Sequence, residues 1–185
     1  MYILRNCMEG LVIDMTHDIM SSTDVCDCDK CRLDIVATAL NHLPALYSLE
    51  RINEKFGYTG NVYNYFSQDL RHQILKAISV IRKNPRHDRV QASEYHLKNA
   101  IEEIMDDTID DYIVDSSVCR CPKCRLEIMA AALNRLPTVY TVTKMGSRLA
   151  VATSNIRSQF AVDIRIAVMT ATERVDHRNN GVKHQ

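Results

Sequence analysis

Tryptophan is absent from this chain, and it holds only five glycines and four prolines. With so little glycine there is no glycine-rich phosphate loop, and no nucleophile elbow occurs either. No catalytic constellation is visible, so a non-enzymatic protein is expected. An excess of one charge is also missing: Lys plus Arg and Asp plus Glu each total 23, for a formal net charge of zero. A generally basic nucleic-acid binder shows a positive surplus, so no DNA partner is expected, although a local basic pocket remains open. No run approaches the roughly 18 apolar residues that a spanning helix needs. Arg5, Glu9, Asp14 and Asp18 interrupt the first twenty residues and leave no apolar signal-peptide core. The expectation is therefore a cytoplasmic protein without membrane contact, in a compartment where thiols stay reduced.

What is present is a globular composition, 46% hydrophobic and 25% charged, and an internal repeat. CDCDKCRLDIVATALNHLPALY (26–47) aligns with CRCPKCRLEIMAAALNRLPTVY (119–140) at an offset of 93, with 14 of 22 positions identical. Upstream at the same offset, Tyr2, Leu4, Asn6 and Glu9 match Tyr95, Leu97, Asn99 and Glu102. Downstream the offset becomes 94, where Asp69, Arg71 and Ala77 match Asp163, Arg165 and Ala171. Two tandem domains follow, 1–88 and 94–178, with a polar tail at 179–185 and a linker, NPRHDRVQAS, between the copies.

Each copy reads as three helices. The first carries Leu97, Ile101, Ile104, Met105, Thr108 and Tyr112 at helical spacing in copy two, capped by Ser93. Leu4, Met8, Leu11, Val12 and Met15 match it in copy one. The second helix starts inside the cysteine cluster, at Asp29 or Pro122, residues suited to a first turn. Leu33, Val36, Ala37, Leu40 and Leu43 form its stripe, repeated by Leu126, Met129, Ala130, Leu133 and Leu136, with Pro44 and Pro137 as stops. The third carries Leu70, Ile74, Ala77, Ile78 and Ile81, or Ile164, Val168, Ala171 and Val175, with Ser67 and Ser154 or Asn155 as caps. An extended stretch and a turn at Gly57 and Gly60 are expected between helices two and three. The fold class is thus mainly α. So small a helical unit is marginal alone, and the two copies are expected to pack as an intramolecular pseudo-dimer.

Six of the seven cysteines fall in two triplets, Cys26, Cys28, Cys31 and Cys119, Cys121, Cys124. C-x-C-x-x-C at a helix start brings three sulfurs to one centre, and the unpaired N–H groups of the first turn favour the thiolate ligand form. A closed structural zinc site wants four ligands. His87 follows the third helix of copy one and His177 that of copy two, so either completes a Cys3His set. Three metal-free thiols, or redox thiols using pairs such as Cys28–Cys31, remain the alternatives. Cys7 has Ala100 as its counterpart and reads as a small core residue.

The pattern C-x-C-x-x-C-R-L-[DE]-I-x-A-x-A-L-N-x-L-P-x-x-Y, followed in copy one by Lys83-Asn84-Pro85-Arg86-His87, closely resembles the bacterial late-competence ComFB family. In copy two the ending is reduced to VDHRNNG, a departure that puts its share of any site in doubt. The resemblance implies small helical dimers, in some members zinc held by the cysteines, and in some a cyclic dinucleotide ligand, cyclic di-GMP in particular. Competence, pilus or motility control is the physiology it implies, with a protein partner in that machinery.

Such a ligand carries two phosphates and two purines. Arginine offers a fork for phosphate or guanine and a flat face for stacking; tyrosine stacks; carboxylates accept from guanine. The candidates are Arg32 and Arg125 beside the clusters, Asp34 and Glu127 two residues on, Arg71 and Arg165 on the third helix, Arg86 with His87, and Tyr47 and Tyr140 after the Leu-Pro stop. Ordinary roles fit them as well: Arg32 and Arg125 as surface ion-pair partners, Tyr47 and Tyr140 as core edges, Arg86 and His87 as solvated linker. The leading expectation is a cyclic di-GMP receptor with structural zinc. A ligand-free adaptor for competence or pilus machinery and a thiol redox sensor are its rivals.

Overall fold

The computed structural model describes residues 1–52, 60–85, 95–114, 118–144 and 150–175. Each copy runs strand, helix, helix, strand, helix. The first copy holds β1 (Tyr2–Asn6), α1 (Cys7–Met20), α2 (Asp29–Leu40), β2 (Tyr47–Arg51) and α3 (Gly60–Lys83). The second holds β3 (Tyr95–Asn99), α4 (Ala100–Ile113), α5 (Pro122–Leu133), β4 (Tyr140–Lys144) and α6 (Ala150–Arg174). β1 pairs antiparallel with β2, Tyr2 opposite Arg51 and Asn6 opposite Tyr47, and β3 pairs with β4 in the same register.

The first helix of each copy starts later than its apolar spacing suggests. Asn6 and Asn99, in extended backbone, accept from the amides of Met8 and Ile101 and so act as the N-caps. Leu4 and Leu97 therefore belong to strands, and Ser93 lies outside the described residues. Glu9 and Glu102 sit three residues after each Asn, the spacing of a capping box. The third helices begin earlier than expected. Ser67, Ser154 and Asn155 fall inside them rather than capping them, and Ser67 Oγ donates to the Asn64 carbonyl. Gly60 opens α3, while Gly57 lies outside the described residues. The second helices start at Asp29 and Pro122 as expected, but they end at Leu40 and Leu133, several residues before the prolines.

The α2 helix is buried on more than one stripe: Cys31, Asp34, Ile35, Val36, Ala37, Ala39 and Leu40 are all enclosed. The reason lies in the other copy. Tyr140 belongs to the core of Met8, Ile35, Leu40, Leu70 and Ile74, with Leu97 and Val142 packed against it. Reciprocally, Ala45 and Tyr47 belong to the core of Ile101, Met105, Ile128 and Ile164, with Leu4 and Leu49 packed against it. Each two-stranded sheet thus covers the helices of the other copy. A two-stranded ribbon is not stable alone, and the three helices of so small a unit bury little surface by themselves; the exchange meets both needs.

The junction is reciprocal in its hydrogen bonds too. The Asn41 side chain accepts from the Tyr140 amide at 2.6 Å and donates to its carbonyl at 3.0 Å. The Asn134 side chain does the same to Tyr47, at 2.6 and 2.9 Å. The Tyr47 phenol donates to Glu102 at 2.7 Å and accepts from Asn99 at 2.9 Å. The Tyr140 phenol donates to Glu9 at 2.6 Å and accepts from Asn6 at 2.9 Å. Every partner recurs at the offset of 93, the signature of an isologous, two-fold interface.

Candidate functional site

The cysteine clusters form where α2 and α5 begin. Cys28 and Cys121 occupy the N-cap positions of the two helices. In each copy the three sulfurs lie within 4.8 Å of one another. Sulfurs bound to one zinc at about 2.3 Å stand roughly 3.8 Å apart, so little closure separates this arrangement from a tetrahedral face.

The titration of the thiols reflects their crowding. Burial, then the neighbouring Cys28 and Cys26, push the Cys31 thiol up to about 12. Burial, then Cys121, Cys119 and Glu127, push Cys124 up to about 12 as well. Cys121 goes the other way. Burial acts against its thiolate, but hydrogen bonds from the Cys124 backbone, the Cys119 and Cys124 thiols and the Lys123 backbone together hold it below the ordinary thiol range. Crowding disfavours ionising the three thiols together, and a divalent cation bound among them would favour the thiolate form. The residues present fit a metal ion.

Beside Cys26 and Cys31 opens a cleft of about 350 Å³, bounded by Asp24, Val25, Ile81, Arg82 and Pro85. It brings the end of α3 against the cluster, an approach reinforced by the 3.2 Å ion pair of Arg82 with Asp24. Arg86, His87 and His177 lie outside the described residues.

At the same helix starts the two copies meet through an aromatic ring. Lys123 of α5 stands 5.6 Å from the centre of the Tyr2 ring of β1, and Arg51 stands 5.7 Å from it. Lys30 of α2 stands 5.2 Å from the Tyr95 ring of β3, and Lys144 stands 5.8 Å from it. A largely apolar cleft of about 540 Å³ opens at the Tyr2 end, lined by Met1, Tyr2, Cys121, Pro122, Lys123, Arg125 and Leu126. A separate cleft of about 400 Å³ lies between Leu4 and Glu9 of one copy and Leu97, Lys98, Glu102, Glu103 and Asp106 of the other. Asn99, Leu126 and Met129 complete its wall, in which four carboxyl groups face one lysine.

The chain belongs to the ComFB family. The family described as late competence development protein ComFB matches residues 5–85 and again residues 98–179. No curated protein and no solved structure matches the chain significantly.

The ComFB repeat distributes the expected site residues unevenly. Arg32 is bound within its own turn, to Asp29 at 3.3 Å and to the Asp27 carbonyl at 3.2 Å. Arg125 reaches α4 instead, with Nε 2.9 Å from Asp110, Nη1 3.0 Å from Asp106 and Nη2 2.8 Å from the Asp106 carbonyl. Burial acts against its charge, but the two carboxylates outweigh it and raise its pKa. Asp34 is buried against Lys30 at 3.1 Å, and Glu127 pairs with Lys123 at 3.4 Å. Arg71 and Arg165 are exposed on α3 and α6. Tyr47 and Tyr140 are core edges, not base platforms: they are 5% and 3% exposed, and their phenols are held by Glu102 and Glu9. The aromatic rings that do face a cleft or a cation, Tyr2 and Tyr95, were matched across the repeat but not singled out as site residues. Lys30 and Lys123, identical within the motif, were missed as well. Their identity at the offset of 93 was the available signal, and only the crossing of β1 and β3 onto the other copy's helix gives it meaning.

Proposed function

We propose that this ComFB chain is a non-enzymatic regulatory receptor for a cyclic dinucleotide, cyclic di-GMP foremost, with a structural zinc ion in each copy. The observation that carries the receptor reading is the composite helix start: a tyrosine from one copy lies under a lysine from the other, beside a cleft of about 540 Å³. That volume is in the ordinary range for small-ligand sites, which favour apolar walls with a few polar groups at junctions between units. A purine suits the wall of Tyr2, Pro122 and Leu126, and a phosphate suits the Lys123 ammonium. Because each such place needs both copies, a single-copy relative has to dimerise to build it.

The zinc reading rests on the sulfurs within 4.8 Å of one another. Zinc would act there as a cross-link between the loop before each second helix and the helix itself. Pro85 borders the cleft at Cys26 and Cys31, and His87, two residues further along the chain, is the fourth ligand we propose for copy one. Isothermal titration of folded protein with cyclic di-GMP tests the receptor reading, and the absence of heat at micromolar ligand rejects it. Elemental analysis of protein purified without chelator is expected to find two zinc ions per chain. Finding none rejects the zinc.

One feature favours a second reading, an adaptor for another protein. Val162, Ile166 and Met169 expose 69%, 58% and 56% of their surface along one side of α6. A stable protein partner captured equally with and without nucleotide, and lost in Ile166→Glu, would favour the adaptor.

A further inference from the structure

The two composite helix starts are equivalent by the repeat but opposite in charge. In copy one, residues 26–34 carry Asp27, Asp29 and Asp34 against Lys30 and Arg32. In copy two, residues 119–127 carry Arg120, Lys123 and Arg125 against Glu127 alone. Asp27 is thus replaced by Arg120, and Asp29 by Pro122, so the helix start changes from net negative to net positive.

The position of Pro122 matters most, because it lines the cleft. Its counterpart Asp29 places a carboxylate in the first turn of α2, where it engages Arg32 at 3.3 Å. A carboxylate there satisfies the positive end of the helix and competes with an incoming phosphate. At the Tyr2 end that competitor is absent. Pro at the first helical position costs no hydrogen bond, and Lys123, paired with Glu127, stands with Arg51 over the ring. Asp106 and Asp110 do offset charge in copy two, yet neither is among the cleft-lining residues, and both are engaged by Arg125. Their counterparts in copy one are Ile13 and His17. Arg125 is therefore a strut that fixes the start of α5 on α4, a positioning residue rather than a ligand contact.

We infer that only the Tyr2–Lys123 end takes an anionic purine ligand, so that the chain binds one such ligand rather than two. The Tyr95–Lys30 end is a silenced counterpart. This rests on the receptor reading proposed above, and it adds which end is used.

Titration calorimetry of the full chain with cyclic di-GMP tests it, with each variant first shown to unfold cooperatively at a temperature near wild type. One ligand per chain is expected. Lys123→Gln and Tyr2→Leu should each weaken binding at least tenfold. Lys30→Gln and Tyr95→Leu should change it less than twofold. The double variant Asp27→Arg/Asp29→Pro, which copies the second cluster into the first, should raise the stoichiometry toward two. Two equal sites in the wild type overturn the inference while leaving the receptor reading intact, and so does a loss that follows Lys30 and Tyr95 instead. No binding by wild type rejects the receptor reading itself, and the inference with it.

Discussion

Tyr47, Tyr140, Glu9, Glu102, Asn6 and Asn99 form a polar group inside the junction of the two copies, and its members depend on one another. Each phenol both donates to a carboxylate and accepts from an amide. Burial first, and then the nearby Glu102 carboxylate, push the Tyr47 phenol far above its ordinary range, so it remains a proton donor at any accessible pH. Tyr47→Phe leaves Asn99 and Glu102 without that partner, and an unsatisfied buried group costs about 1–3 kcal/mol. Urea denaturation should show a loss of that size. No change would mean that water replaces the phenol. Glu102 itself is raised, by burial first and then by Glu9, Asp106 and Glu103, with the Tyr47 hydrogen bond acting in the opposite direction. The folded chain therefore holds this proton more tightly than the unfolded chain does. Its contribution is fully present below the ordinary value of 4.5 and is lost as pH rises through the folded value. Glu102→Gln keeps an acceptor for Tyr47 without the charge. It should be more stable than wild type at pH 7, with the gap closing below pH 4.5. A gap independent of pH would remove the electrostatic account.

Among the elements, the starts were legible where a residue type is tied to a position and obscure where apolar spacing ran on. Asp29 and Pro122 mark α2 and α5 correctly. Leu4 and Leu97 extend the helical spacing of α1 and α4 backwards, although both lie in strands. Asn6 and Asn99 were the better signal, since Asn favours the cap and Glu follows three residues later. Asn6 does more than cap, because it also accepts from the Leu46 amide and donates to Tyr140. Asn6→Ala should therefore cost well over the ~1 kcal/mol of an ordinary cap. Asn6→Ser, too short to reach all three partners, should recover only the cap. Equal stability of the two variants in urea would show that the cap is the whole role. The cysteine spacing was legible because three ligands from one short segment need no tertiary information. The Tyr2 and Tyr95 platforms were not, because a strand of one copy meets a helix of the other only in the folded chain.

At the scale of the whole molecule, the repeat announced two units, and folding makes them inseparable. Each sheet covers the other copy's helices, so neither copy closes its own core. A chain of 21.1 kDa gains from this fusion what a homodimer gains from association, without the loss of translational freedom. Fusion also frees the copies to diverge, and they have: Ile13 and His17, exposed on α1, stand where Asp106 and Asp110 hold Arg125 in the other copy. If the junction carries the fold, the covalent link between the copies is dispensable once the chain has folded. A protease site placed between Arg86 and Ser93 and cut in the native protein should leave both fragments together, eluting at the size of the intact 21.1 kDa chain. Asn41→Ala combined with Asn134→Ala removes the four hydrogen bonds that the two side chains make to the backbones of Tyr47 and Tyr140. After the same cut, that variant should separate into fragments at lower concentration than wild type. Separation of the wild-type fragments at micromolar concentration would show instead that the linker, not the exchanged sheets, keeps the copies together.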